Sequence, residues 1–364
     1  METTTCDESN VAHASVLFKG HNKDKTLASS YRTISTCPFL SKALDYYVRE
    51  LSIPEWTAAK PETQFLGSDM SHELGALLLT ETINHSINVS NMPVYSLFVD
   101  ARSAFDLTIR EIIVRKLHLI GTSGHRLLYL DNRLMNRKTF VEWDNKVLGP
   151  IMDEPGFEQG GISSGDLYTI YNADPLSFAQ DSGLGVNLGI ENVENISSIG
   201  QADDVVLLSS DLSFLKNLLD LTLDYCRTHH VTLAPEKTKL MVFSAPHQKL
   251  LVDYTKAVSN IHIDNIPIKF VDNTEHVGVI RSIHGNLPHI QNRVSCHMKA
   301  LFAVLPSGLA RNQNANPAAN LRIQSIFASP VLFSGVAALI LIKPELEILQ
   351  SHLKNTLQIL QKLH

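Results

Sequence analysis

ISSIGQADDVVLLSS, residues 196–210, places two adjacent aspartates inside an otherwise apolar run. Ile196 and Ile199 before them, and Val205, Val206, Leu207 and Leu208 after them, read as two short buried strands with residues 200–204 as the bend between. Asp tolerates the left-handed backbone that tight turns need, so Asp203 and Asp204 read first as turn residues. The strand after the bend is apolar throughout, which predicts a covered sheet and two carboxylates standing on a largely dry scaffold. Two anions so close either raise one another's pKa or hold a cation.

Working outward, VYSLFVD (94–100) reads as a second strand and residues 104–120 as a helix, so Asp100 stands where a strand ends and a helix is about to begin. If the two strands are neighbours, Asp100, Asp203 and Asp204 converge. Such a cluster is the ligand set for two hard divalent ions about 3.5 to 4 Å apart, as used in in-line phosphoryl displacement. Residues 71–83 have the apolar spacing of an amphipathic helix, 154–163 are glycine-rich before a helical stretch, 212–226 read as a helix and 237–244 as a strand. Short strands follow at 261–272 and 276–280, then helix and loop from Pro288 onward. The pattern predicts an α+β fold with an antiparallel sheet followed by an all-α unit.

The chain has 364 residues, 44% of them hydrophobic and 19% charged, which is ordinary globular composition. Four scattered cysteines with no Cys-x-x-Cys pair argue against structural zinc, and with no signal-peptide pattern they predict a reducing, intracellular setting. The apolar run at 331–342 is too short to span a membrane and reads as a buried core helix. The net charge is −6, yet residues 281–364 carry eight Lys/Arg against two Glu and no Asp. Acid collected in one part and base in another suits cations in the first and a phosphate backbone in the second, although a solvated helix face explains the basic end equally well.

FVDARSAFD, QGGISSGDLY and QADDVVLLS, in that order, resemble the palm motifs of reverse transcriptases, most closely those of non-LTR (LINE-type) retrotransposons. GHNKDKTLASSYRTISTCPFLSKALD resembles the fingers motif of the same group, and PEKTKLMVF and HVGVI resemble the last palm motif and the primer-holding hairpin. The resemblance covers about residues 18–280. It implies a right-hand polymerase: residues 1–17 a disordered start, 18–92 fingers, 93–280 palm with inserted finger elements and the primer-grip hairpin, and 281–364 a truncated helical thumb. It also implies an RNA-directed DNA polymerase with two Mg²⁺ ions, or Mn²⁺ in their place, acting on an RNA template, a DNA primer and dNTPs, in cytoplasm and nucleus and with no membrane partner.

Carried over residue by residue, the resemblance makes Asp100 and Asp203 the metal-bridging carboxylates and Asp204 a less direct third ligand. Phe105 matches the aromatic gate that excludes a 2′-hydroxyl, with Ala101 beside the same nucleotide. Gln159, Gly160 and Gly161 match the loop under the incoming nucleotide. Arg32, with Lys23 or Lys25, would hold the triphosphate. Lys237 or Lys239 would protonate the departing pyrophosphate; alternation puts both on one strand face and does not choose between them. Asp106 belongs to the matched string, with no direct catalytic part.

The sequence departs from the family at Gln201, where an aromatic is usual, at Thr33 and Gly165, where proline is usual, and at QFLGS (64–68), a partial match to Gln-Phe-Gly-Phe-Arg. The family's elements usually encode an endonuclease upstream, so a fragment or degenerate copy of a longer element is expected. An inactive fragment that only binds RNA or primer-template is the first alternative; the intact three-aspartate set weighs against it. A two-metal nuclease or phosphatase is the second, and the basic finger loop and the Gln159 motif speak against that one.

Overall fold

The computed structural model describes residues 10–20, 23–66, 71–102, 105, 107–152, 156–189, 195–245, 261–304 and 317–362. Ordered structure begins earlier than the polar N-terminal sequence suggests. Strand β1 (Val11–Phe18) pairs antiparallel with β2 (Tyr31–Thr36). The expectation of a disordered stretch through residue 17 is therefore corrected: Ala12 and Ala14 are small enough to be fully packed while His13 and Ser15 face out. Helix α1 (Phe39–Ala59) follows and buries Asp45, Val48, Ser52 and Trp56 along one stripe. Helix α2 (His72–Asn88) starts at Ser71, whose hydroxyl accepts from the Leu74 N–H at 3.2 Å. Gly75 lets the helix pack closely on Phe65, since a Cβ there would meet the ring at 3.0 Å.

Strand β3 (Val94–Val99) ends one residue before Asp100. The helix expected over 104–120 begins only at Arg110, as α3 (Arg110–Leu119). Residues before it hydrogen-bond elsewhere: the Phe105 carbonyl accepts from Phe157 N–H and the Thr108 carbonyl from Gly156 N–H, both at 2.8 Å. After α4 (Gly124–Met135) come two strands with no counterpart in the sequence reading, β4 (Lys138–Trp143) and β5 (Lys146–Met152). They complete a four-stranded sheet in the order β2-β1-β4-β5, with β1 and β4 parallel. Helices α5 (Ser164–Tyr171) and α6 (Ala173–Asp181) then lead to the hairpin that opened the sequence argument, β6 (Ser198–Gln201) and β7 (Asp204–Ser209).

Helix α7 (Leu212–Thr228) and strand β8 (Lys239–Phe243) complete the central unit, followed by β9 (His262–Ile263), β10 (Ile266–Pro267) and β11 (Lys269–Phe270). The central sheet runs β11-β8-β3-β7-β6, antiparallel except for the short β11–β8 pair. Leu97, Leu207 and Leu240 pack with Leu215, Leu218 and Leu219 of α7, while Val94, Phe98, Val206 and Met241 pack with Leu79 of α2. With both faces covered, β7 needs apolar residues on both sides, which is why its sequence does not alternate.

The hairpin β12 (Asn273–His276) and β13 (Val279–Ser282) leads into α8 (Leu287–Val304), α9 (Pro317–Ile323), α10 (Ser329–Phe333) and α11 (Lys343–Lys362). Ile290, Leu332, Val336 and Leu349 form the core of this unit. The apolar run at 331–342 is not one buried helix: Gly335 takes φ +73° and ends α10, and a 3-10 turn (Val336–Ala338) and extended backbone follow. Leu321–Ala338 has the length and composition of a membrane-crossing helix, but those same breaks and a π-helical turn at Gln324–Ala328 divide it.

Candidate active site

Asp203 sits in a two-residue turn, since Gln201 pairs with Asp204 across the hairpin. Ala202, the other turn residue, has φ +58°, a conformation that costs a side chain energy unless neighbours hold it. They do: its N–H donates to Gln64 Oε1 at 3.1 Å, and its carbonyl accepts from Asn172 Nδ2 at 3.5 Å. Gln64 is fully buried and bridges to Gly200, extending the sheet by one partial strand. The QFLGS segment that matched the family poorly therefore supplies the clamp on the turn that carries Asp203; its residues 67–68 lie outside the described residues.

Strands β3 and β7 are neighbours, as convergence requires, with Val99 opposite Val205. One step further, that register sets Asp100 opposite Asp204. The Asp100 carbonyl accepts from Ala234 N–H at 2.8 Å, and its carboxylate accepts from Lys237 Nζ at 2.9 Å. Lys237 lies in the turn before β8 and not on the strand, so the two lysines do not share a strand face. Lys239 opens β8, paired with Phe98 and Lys269.

Burial raises the pKa of Asp203, and the Asp100 charge adds to it. Asp204 is exposed at its outer side, yet loss of hydration around the carboxyl, then the charges of Asp203 and Asp100, raise its pKa to about 6. Lys237 pulls both the other way. Among the described residues no three acidic, His or Cys side chains are closed to coordinating distance. The donor set nonetheless fits a hard divalent cation: three carboxylate groups, mutually repelling, with a single ammonium among them.

Phe105 lies in a turn, and its ring stacks on Tyr168 with centroids 4.5 Å apart and planes at 21°. The phenol of Tyr168 is pushed far up in pKa by burial and then by the Asp203 charge, so Phe105, Tyr168 and Asp203 form one wall. Ala101 bridges to Leu233, and with Tyr168 and Asp203 it lines a cavity of about 30 Å³. Asp106 lies outside the described residues.

The glycine loop is held by β2. Ser35 N–H of β2 donates to the Gln159 carbonyl at 2.9 Å, and Gly160 has φ +107° with a would-be Cβ only 3.0 Å from the Ser35 carbonyl. Only glycine fits there. The same strand carries Arg32, which is exposed, as are Lys23 and Lys25; Lys25 Nζ lies 5.7 Å from the centre of the Phe18 ring. Among the described residues no ion pair joins these three cations to the carboxylates.

Behind the loop is a buried ionic network that sequence reasoning missed. Glu158 is held by Arg133 and Arg137, each at 3.2 Å, and Arg133 reaches Asp45 at 3.4 Å. Tyr129 donates to Asp45 at 2.7 Å, and the Cys37 thiol, which donates to Glu158, is pushed up to about 11 by burial first and by Glu158 second. These partners are far apart in sequence and leave no local signal. Gln64 and Tyr168 lie in quoted motifs, but their contacts with Ala202 and Phe105 join distant segments and could not be read there.

Residues 21–272 match the family described as reverse transcriptase (RNA-dependent DNA polymerase). The chain belongs to the reverse transcriptase family. No curated protein matches its sequence. Among solved structures it is similar to apo telomerase from Candida tropicalis, with a TM-score of 0.55 at 11% identity over 100% of this chain and 61% of that one. It is also similar to Candida tropicalis telomerase in complex with a TWJ fragment of telomeric RNA, with a TM-score of 0.52 at 9% identity over 96% and 64% of the two chains. The chain thus spans less than two thirds of these telomerase chains, and at such identity the likeness is one of fold: the α+β polymerase fold of a reverse transcriptase.

Proposed function

We propose that this chain is the RNA-directed DNA polymerase of a non-LTR retrotransposon, adding dNTPs to a primer 3′-hydroxyl on an RNA template. The observation that carries the reading is the meeting of Asp100 with the Asp203 and Asp204 hairpin at the open end of the central sheet. That sheet belongs to the palm (93–280), with fingers from residues 18–92 and a helical thumb from 281.

Asp100, Asp203 and Asp204 would hold two divalent ions, Mg²⁺ or Mn²⁺; when bound, these acidify the attacking hydroxyl and neutralise charge on the leaving oxygen. Phe105, fixed by its stack on Tyr168, would fill the space under the sugar and reject a 2′-hydroxyl. Gln159 and Gly160 present backbone to the nucleotide, held at their height by β2. Arg32, Lys23 and Lys25 would grip the triphosphate. Lys237, already at the cleft, is the better placed of the two lysines to hand a proton to pyrophosphate. The basic helices would hold the template-primer backbone, and an intracellular place of action, cytoplasm and nucleus, follows from the substrates.

A second reading is a chain that binds nucleic acid without turnover, for which the excess of eight Lys/Arg over two Glu in residues 281–364 would suffice. Primer extension with the full chain, an RNA template, dNTPs and Mg²⁺ separates the two. Extension that disappears in Asp203→Ala supports the polymerase. Salt-dependent binding of primer-template with no extension by either protein would replace it with the second reading.

A further inference from the structure

Away from the carboxylates, a cavity of about 240 Å³ opens between α2, the end of β8, the β12–β13 hairpin and Ile340. Its lining joins Arg281, Asn84 and Thr80 to Ile83, Phe243 and Ile340. Arg281 is 5% exposed. Its Nη1 donates to Thr80 Oγ1 and its Nη2 to the Ala76 carbonyl, both at 2.6 Å, and its buried Nε has no partner. No acid offsets this charge among the described residues: burial alone moves its pKa, downward to about 10. The titratable group beside it, His276, is buried with both ring nitrogens unpaired and is kept neutral by burial and by the Arg281 charge.

A guanidinium taken out of water with only neutral acceptors is a site short of one negative charge. The space beside it has the right size for a small molecule, since an apolar cavity of about 150 Å³ takes up benzene. We propose that this cavity binds a small organic oxyanion, a carboxylate or phosphate monoester on a ring-sized apolar body. The anionic group pairs with Arg281 and Asn84, and the body packs against Ile83, Phe243 and Ile340. Such a ligand would touch α2, the hairpin and the C-terminal unit at once. The site does not depend on the polymerase reading.

Calorimetric titration and thermal shift of the full chain test it, with phenyl phosphate, benzoate, inorganic phosphate and neutral benzyl alcohol as probes. One or both ring-bearing anions should bind one to one, at least about tenfold more tightly than the alcohol or inorganic phosphate. The ranking of phenyl phosphate and benzoate tells phosphate from carboxylate. Arg281→Met and Asn84→Phe, which removes a polar wall and fills the cavity from a half-buried helix position, should each weaken binding by about tenfold or more. If Arg281→Met does not fold, Asn84→Phe decides. No binding of either anion at millimolar concentration, or binding that Asn84→Phe leaves unchanged, would overturn the proposal. So would one-for-one displacement of the bound anion by primer-template duplex, which would make the site a nucleic-acid contact.

Discussion

Lys237 Nζ lies 2.9 Å from Asp100 Oδ1, and the charge of the same ammonium also reaches Asp203 and Asp204. One cation therefore serves three carboxylates. The pair itself is partly solvated, with 60% and 34% of the two side chains exposed, so it contributes little to stability. Its consequence is electrostatic: the cleft holds excess negative charge that the fold leaves for something else to neutralise.

Burial first, and that excess of charge second, set a pH dependence. Asp203 and Asp204 both stand above the ordinary carboxyl range, Asp204 at about 6. A carboxyl raised on folding keeps its proton where the unfolded chain has lost it, so its contribution is favourable at low pH and stability falls as pH rises through that window. Asp204→Asn should raise Tm at pH 8 by roughly 2 °C, about 1 kcal/mol after discounting for water on its open side, and leave Tm unchanged near pH 4. Millimolar MgCl₂ should stabilise the natural chain at pH 8 and Asp203→Asn far less. Melting curves at both pH values check this, and a loss of stability at pH 8 in Asp204→Asn would refute it.

Gln64 carries the turn that presents Asp203. Its Oε1 accepts from the N–H of both Ala202 and Leu66, at 3.1 and 3.2 Å. Gln64→Leu leaves two N–H groups without that acceptor and should cost about 1–3 kcal/mol in urea unfolding. In primer extension it should lower kcat with KM for dNTP little changed, and Gln64→Met, which keeps the length of the side chain but lacks the acceptor, should lose as much. Full kcat in the Met variant would show that the acceptor is not what matters.

Glu158 is 7% exposed and is the carboxylate shared by Arg133 and Arg137. Glu158→Gln strips the charge and leaves two buried guanidinium groups with Asp45, so a loss of about 3 kcal/mol is expected in urea unfolding. The same change removes one of the causes that hold the Cys37 thiol near 11, so Cys37 should alkylate faster at pH 9 in the variant. An unchanged alkylation rate would mean that burial alone sets this thiol.

How far the sequence could be read depended on how local the signal was. The β6–β7 hairpin was legible because its apolar run and its two aspartates are contiguous. The helix start was misread because apolar spacing continues back through Phe105 and Leu107, whereas the carbonyls of Phe105 and Thr108 are taken by residues fifty positions away. Strand β1 was hidden because its buried residues are Ala12 and Ala14, which carry almost no hydrophobic signal. Lys237 and Lys239 were inseparable because the choice turns on where β8 begins. The Glu158 network joins residues from two helices and three connecting segments and leaves no periodicity to find.

The Phe105 stack on Tyr168 gives the sugar-selection reading its sharpest test. The ring is held at 4.5 Å and 21° to Tyr168, and its backbone carbonyl is fixed by Phe157 N–H. With its backbone held, the ring cannot swing away to admit a larger sugar without giving up the stack on Tyr168. Phe105→Val keeps an apolar side chain but shortens it, opening room where a 2′-hydroxyl would project. The ratio of kcat/KM for dNTP over NTP should fall by roughly tenfold or more, mainly through improved use of NTP. Tyr168→Phe keeps the stacked ring and should leave the ratio near that of the natural chain. If Phe105→Val loses dNTP and NTP incorporation in equal proportion, the ring supports the wall beside Asp203 and does not choose the sugar.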